Sequence, residues 1–516
     1  MAVAILATAL AALPLVYLVL RATDRGWAGV ETTLWRSRTL DLLLRSLELT
    51  VLVTGLCLSV GVGLAWLVTC TDLPGRRVVQ VMAGLPLAMP SYVAAWSWLG
   101  VRPDLAGRTG SVIVLTSISY PYVYLPTMAA LRRRDGALEA VARTLGLGPW
   151  PTFWRVTVPQ IRIAAASGGL LVGLYVLSDF GAVATMRYEV LTHVIYRSYR
   201  GSFDRTPAAV LGLVLAVMAM AIVAMEAWTR RRSQHSVAKV GGGALHRPAT
   251  VALGRLRWPL LAVPVTVVFI ALAVPSWGLY QWFTRGTSRT DWGRFFTATQ
   301  NTLQVSALGA IAVVLLAFPI ALLAVRNPGR IARTATRAAY AGHALPGVVV
   351  GLALVFFASR YARSLYQELP VLILAYAVLF LSVGIGVVQS SVAQIPRGLD
   401  DVARSLGRTS WGAWRSVTLR LSAPGLGAAG ALVFLTIMKE LPATLFLRPT
   451  GFDTLATQLW SHTSGLSRAA AAPYAAAIVL LAALPTALLA TLGDGRTGCR
   501  ERWRNRGDKP ASDSQP

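Results

Sequence analysis

Asp179 and Glu440 are carboxylates set in long apolar stretches, 261 residues apart, and Lys439 stands directly before the second of them. A carboxylate at mid-bilayer costs roughly 2.5–3.5 kcal/mol on insertion scales, so such a group is expected to face a protein interior or water. Two roles are open for the pair. They can present oxygens to a hard cation, or to its chelate, along a pathway. Alternatively each caps a broken helix or pairs locally, as Glu440 with Lys439. The five histidines are scattered and carry no ligand spacing, so no metal site is assigned. His343, just before "ALPG", falls in a predicted span, either lining a path or held within the packing.

A second polar feature occurs twice. "LEAVARTLGLGPWPTFWRVTVP" (138–159) returns 261 residues later as "LDDVARSLGRTSWGAWRSVTLR" (399–420). In both copies the spacing predicts a short amphipathic helix, with Leu138, Val141 and Leu145 on one face and Leu399, Val402 and Leu406 on its counterpart. Glu139 precedes Arg143 by four residues and Asp400 precedes Arg404 by four, the acid-then-base order that favours a helix. Asp401 adds a second acid in the later copy. Gly146 and Gly407 stand where a left-handed residue would end each helix. Two gap-free copies on one side of a membrane read as a paired docking surface, suited to one symmetric partner or two like ones.

The elements that must position these groups are apolar helices. The chain has 516 residues, 55% hydrophobic and only 14% charged. About twelve stretches of bilayer-crossing length are predicted: near 3–20, 46–70, 78–101, 111–131, 161–186 and 207–228, then 258–283, 302–325, 337–358, 370–394, 424–447 and 473–492. The fold class is therefore an all-α polytopic membrane protein, two pseudo-symmetric halves of six transmembrane helices each. The halves are expected at 1–228 and 258–492, joined by a basic linker at 229–257 and followed by a basic tail at 493–516. "LP" also recurs at Leu85-Pro86 and Leu345-Pro346, and "PGR" at Pro74–Arg76 and Pro328–Arg330. The N-terminus looks like a signal peptide without its basic start, so an uncleaved first helix is expected.

The net charge of +27 orients the chain; it does not indicate nucleic acid. With both termini cytoplasmic, about 30 Lys and Arg fall inside and about 17 outside, the positive-inside bias. Cys57, Cys70 and Cys499 form no C-x-x-C and no disulfide framework. Only Lys239, Lys439 and Lys509 are lysines, and none follows a glycine, so no phosphate-binding Gly-Lys-Ser/Thr core exists. No cluster of catalytic residues is visible, and an enzyme is not expected.

The repeated stretch resembles the EAA loop of type I ABC-importer permeases. The chain as a whole resembles the fused, two-permease-domain proteins of the ferric-iron uptake family, also through "LPLAMPSYVAAW" (Leu85–Trp96), "LSDFGAVAT" (Leu177–Thr185) and "KELPATLFLRPTGFDTLATQLW" (Lys439–Trp460). The resemblance implies a permease in the bacterial plasma membrane, moving substrate by alternating access. It also implies ABC ATPase subunits as a homodimer that spends the ATP, an extracytoplasmic binding protein, lipid around the spans, and no cofactor bound by this chain. It makes Glu139, Arg143, Gly146, Asp400, Asp401, Arg404 and Gly407 the ATPase-coupling candidates; Asp179, Lys439 and Glu440 are pathway candidates by their charge within apolar stretches. The family's glutamate sits six residues before the glycine, which is Asp401 in the second copy but Ala140 in the first. Ferric iron is the expected cargo; thiamine, phosphonate, sulfate or polyamine permeases and an ion-coupled transporter are the alternatives.

Overall fold

The computed structural model describes residues 2–24, 26–134, 136–201, 205–237, 250–285, 290–396, 398–465 and 468–483. Among them the regular structure is helical, apart from an isolated bridge between Thr71 and Val251. Among the described residues eight helices are long and apolar enough to cross a membrane: Ser37–Cys70, Arg108–Arg132, Trp150–Ser178, Thr206–Glu226, Gly254–Thr284, Trp292–Arg326, Leu369–Ala393 and Ser410–Met438. Two sharply bent pairs raise the number to ten. The first and last expected spans coincide with the helix Ala2–Thr23 and with the shorter apolar helix Ala469–Ala483, where the described residues end.

The third span of each half is not a straight rod. Arg76–Ala88 and Ser91–Val101 meet at 101°, and Arg330–Ala344 and Gly347–Tyr361 at 104°. Proline is the cause in both. Pro90 and Pro346 lack an N–H and push the residue before them out of the helical region; Met89 (ψ 122°) and Leu345 (ψ 128°) are extended. The break that matches Pro346 is thus at Pro90. Pro86, paired with it by the "LP" motif, instead lies in an extra 3-10 turn, Leu85–Ala88.

Fifth spans are broken as well. Val158–Ser178 stops at Asp179 and resumes as Gly181–Thr185; Arg420–Met438 stops at Lys439 and resumes as Pro442–Leu447. Both fifth spans begin with a π-helical segment, Phe153–Thr157 and Trp414–Leu419. Such wide turns tend to sit at functional positions.

Within each half the second span packs on the fourth and the fifth. First spans cross to the other half. Ala2–Thr23 lies on Arg330–Ala344 and Gly347–Tyr361, while Val274–Arg285 lies on Ser91–Val101. There Trp282 stacks on Trp96 with ring centres 5.2 Å apart, and its indole N–H donates to the Trp96 carbonyl oxygen at 3.3 Å. Consequently one buried core runs through both halves, taking in Leu18, Trp96 and Phe180 from the first and Val348, Tyr376 and Phe446 from the second.

The expected linker is described in part. The sixth-span helix continues to Val237, past the predicted boundary at 228, and residues 238–249 lie outside the described residues, as does the tail at 493–516. Beyond the gap, Val251 donates to the Cys70 carbonyl oxygen (2.8 Å) and accepts from Asp72 N (3.3 Å). The start of the second half is thereby fastened to the end of the first half's second span.

Candidate functional site: a central cavity and two loop helices

The four breaks converge. Residues flanking all of them line a cavity of about 320 Å³ between the halves, with Ser91, Tyr92, Asp179, His343, Lys439 and Glu440 among its polar members. Each half contributes the bend of its third span and the interruption of its fifth. Irregular backbone is tolerated at membrane depth only where protein or a water-filled cavity surrounds it, so breaks and cavity belong together.

Both acids do the same local work. Asp179 Oδ2 accepts from Ala182 N (2.9 Å) and Val183 N (3.4 Å). Glu440 accepts from Ala443 N (2.9 Å) and Thr444 N (3.0 Å), and its Oε2 also takes the Thr444 hydroxyl at 2.7 Å. Each carboxylate therefore caps the short helix that follows the break, satisfying amides that have no partner in their own first turn. Capping and a cavity position are not exclusive, and these residues have both. The half with the shorter acid has Ser91 at the third-span break; the half with the longer acid has Gly347. A Cβ on Gly347 would lie 2.8 Å from Glu440 Oε1. The missing side chain makes room for the extra methylene of the glutamate.

Lys439 does not form the local pair that its position beside Glu440 suggested. Its Nζ crosses to the first half and donates to the Leu87 carbonyl oxygen at 3.1 Å, and Tyr92 Oη donates to the Lys439 carbonyl at 3.4 Å. His343 lines the cavity and its Nδ1 lies 2.6 Å from the Leu379 carbonyl oxygen. A carbonyl only accepts, so Nδ1 carries the proton and, in the neutral ring, Nε2 is the acceptor. Beside the breaks, aromatic rings link the halves: Phe180 is 4.9 Å from Tyr196 and 5.0 Å from Trp460, and Tyr196 meets Phe446 edge-on. Among the described residues no group of three or more His, Cys, Asp or Glu could hold a metal ion. Ser91 and Tyr92 fall inside the "LPLAMPSYVAAW" stretch but are not singled out there, because nothing in a single sequence says which turn of a bent span faces inward.

The loop stretches fold as the short helices Gly136–Thr144 and Gly398–Ser405. Both end in the same way. Gly146 (φ 82°) and Gly407 (φ 84°) are left-handed. Leu147 N bonds to the Ala142 carbonyl and Gly146 N to Arg143; Arg408 N and Gly407 N do the same with Ala403 and Arg404. This is the Schellman arrangement.

Orientation separates the candidate residues. The apolar stripe faces outward, with Leu145 77% and Leu406 79% exposed and Leu138, Val141, Leu399 and Val402 exposed beside them. The acids Glu139 and Asp400 turn the other way. Glu139 is 5% exposed, accepts from the Thr157 hydroxyl at 2.7 Å and lies 3.2 Å from Arg134 Nη1. Asp400 accepts from the Thr418 hydroxyl at 2.8 Å and lies 3.0 Å from Arg326 Nη2. The expected pairing four residues along each helix is replaced by these inward contacts, leaving Arg143 exposed and pairing Arg404 with Asp401. Helical spacing identified a shared face but could not say which face the protein covers.

A profile of the binding-protein-dependent transport system inner membrane component matches the chain twice, over residues 49–234 and 314–496. The chain belongs to this family. It is a transport subunit of two such units in series, a multi-pass inner membrane protein. The permease is 35% identical over 487 residues to the Fe(3+)-transport system permease protein FbpB 2 of Haemophilus influenzae, covering 92% of this chain and 95% of that one. It is 26% identical to the sulfate transport system permease protein CysW of Escherichia coli (strain K12), over 42% of this chain and 82% of the relative. With the molybdenum transport system permease protein ModB of the same strain it shares 25% identity over 37% of this chain and 93% of the relative. Under half of this permease thus spans most of each single-unit relative.

Proposed function

We propose that the chain is the translocation pathway of an ATP-driven importer for ferric iron. The observation that carries this reading is 35% identity, over nearly the full length of both chains, to a permease named for Fe(3+) transport. ATP is hydrolysed by separate ATPase subunits, a homodimer, seated on the two outward-facing loop helices. The outward Leu and Val stripes, duplicated in both halves, suit a partner with two like grooves. Arg143, Asp401 and Arg404 lie exposed at the rim of that contact, and a binding protein delivers the cargo on the opposite face. In this orientation both termini and the linker are cytoplasmic, and the domain limits are 1–228 and 258–492. The chain itself holds no cofactor.

Cargo passes through the central cavity, where Asp179, Glu440 and Lys439 supply charge of both signs. Binding-protein-dependent transport leaves no role for the ion-coupled alternative. An oxyanion cargo is the second reading, favoured by the Lys439 ammonium in the cavity and by the CysW and ModB relatives. Uptake of radiolabelled ferric iron by cells with and without this gene tests the first reading. Equal uptake overturns it, and labelled sulfate or molybdate accumulating instead establishes the second.

A further inference from the structure

The two second spans correspond, by their hydrogen bonds, at a sequence offset of 256. Ser46 Oγ accepts from Leu191 N at 3.1 Å, and Thr302 Oγ1 accepts from Leu455 N at 2.8 Å, each holding the strap between the fifth and sixth spans of its own half. Ser46 also donates to the Leu42 carbonyl oxygen as Thr302 does to that of Ala298, again 256 apart. The helices then end on Cys70 and Arg326, which are counterparts by the same offset. In the loops, where the offset is 261, the counterpart of Arg134 is Ile395. Equivalent acids, Glu139 and Asp400, are therefore met by arginines from non-equivalent places. In the second half the guanidinium comes from the end of the second span. In the first half it comes from the loop, and Arg134 Nη1 also donates to Cys70 Sγ at 3.0 Å, contacting the same span end from the other direction.

We propose that Arg134 and Arg326 are positioning residues for energy coupling, each clamping the loop-helix acid to the end of its half's second span. The loop helix is already bound to the fifth span through Thr157 or Thr418. With the arginine in place, displacement of the loop helix moves the second and fifth spans together. Arg134, Glu139 and Thr157 are buried in the first half, where the ion pair is shielded from salt and water. A buried acid deprived of its cation is left uncompensated, so removing the arginine releases the clamp. The inference rests on the proposal that these helices receive the ATPase.

The test relocates the charge. Arg134→Ile is expected to lower ATP-dependent uptake about tenfold or more, a change of about 1.4 kcal/mol or more, in chains that still insert and still co-purify the ATPase. Adding Cys70→Arg copies the second half's arrangement into the first and is expected to restore at least half of the lost uptake. A protein in which Arg134 merely fills space would not be rescued from another helix. Glu139→Gln should reproduce the loss, with Arg134→Ile adding little to it, because both remove one contact. Wild-type uptake in Arg134→Ile overturns the proposal, as do additive losses in the double variant. Should the Cys70→Arg chain fail to insert, the comparison of Glu139→Gln with and without Arg134→Ile decides alone. Failure of the wild type to take up ferric iron sinks the cargo reading instead, and the same variants are then compared by ATP hydrolysis in the assembled complex.

Discussion

Lys439 extends out of the second half to the carbonyl oxygen of Leu87 in the first, 3.1 Å from its ammonium nitrogen. A carbonyl uses one of three N–H groups, and the cavity is where the others can meet cargo. Lys439→Met keeps a stem of similar length without the charge. Uptake is expected to fall about tenfold, corresponding to about 1.4 kcal/mol, with the amount of chain in the membrane unchanged. Wild-type transport by this variant would reduce Lys439 to a packing residue.

Asp179→Asn with Glu440→Gln separates the two duties of the acids. An amide oxygen still accepts from backbone N–H, so the caps on Gly181–Thr185 and Pro442–Leu447 largely survive while both charges go. Uptake should drop by about tenfold or more with normal insertion. Asp179→Ala and Glu440→Ala, which also lose the caps, should each lower thermal stability by about 0.5–2 kcal/mol as well. Transport in the amide double variant at the wild-type rate would show that the charges serve no pathway.

Gly347→Ala places a methyl group 2.8 Å from Glu440 Oε1 and 3.2 Å from Pro442 Cγ, so the break of the fifth span must shift. Transport is expected to fall severalfold. Gly427→Ala, in the fifth-span helix Arg420–Met438 with nothing within 4 Å of its new Cβ, is the control; it should leave uptake alone and stabilise by about 0.4–1 kcal/mol. Equal behaviour of the two would remove steric fit at Gly347 from the account.

Leu145→Glu with Leu406→Glu puts charge on the most exposed points of the two apolar stripes without touching the core. Co-purification of the ATPase should fall to near background while the chain remains in the membrane. Retention at the wild-type level would move the docking surface elsewhere.

Gly146 and Gly407 have open space around them, so their constraint is conformational. Alanine at either should cost about 1 kcal/mol, and valine, stiff at its β-carbon, more. Graded loss of ATPase association, Val worse than Ala, is the expected pattern; indifference to both would mean the helix ends are not part of the contact.

Much of this layout was legible in the primary structure, for identifiable reasons. Chain length in the apolar runs announced the spans, and the constant offset of 261 carried the loop helices, their glycines and the acid pair together. Other features were hidden because the repeat slips. Pro90 and Pro346 are 256 apart, so matching "LP" to "LP" paired Pro346 with Pro86 instead of Pro90. Arg134 and Arg326 were invisible as a pair because one function had moved to a different residue. Periodicity also grouped Leu138, Val141 and Leu145 without revealing that the protein hides Glu139 and exposes them.

The migrated arginine limits how the two halves can be recombined. Grafting residues 395–420 in place of 134–159 would bring Asp400 and Thr418 but put Ile395 where Arg134 stood, with Cys70 and not an arginine at the end of the second span. The opposite graft would set Arg134 beside Arg326, two cations on one carboxylate. A working hybrid must carry the last turn of the second span along with the loop, although 64 positions separate Cys70 from Arg134 and 69 separate Arg326 from Ile395.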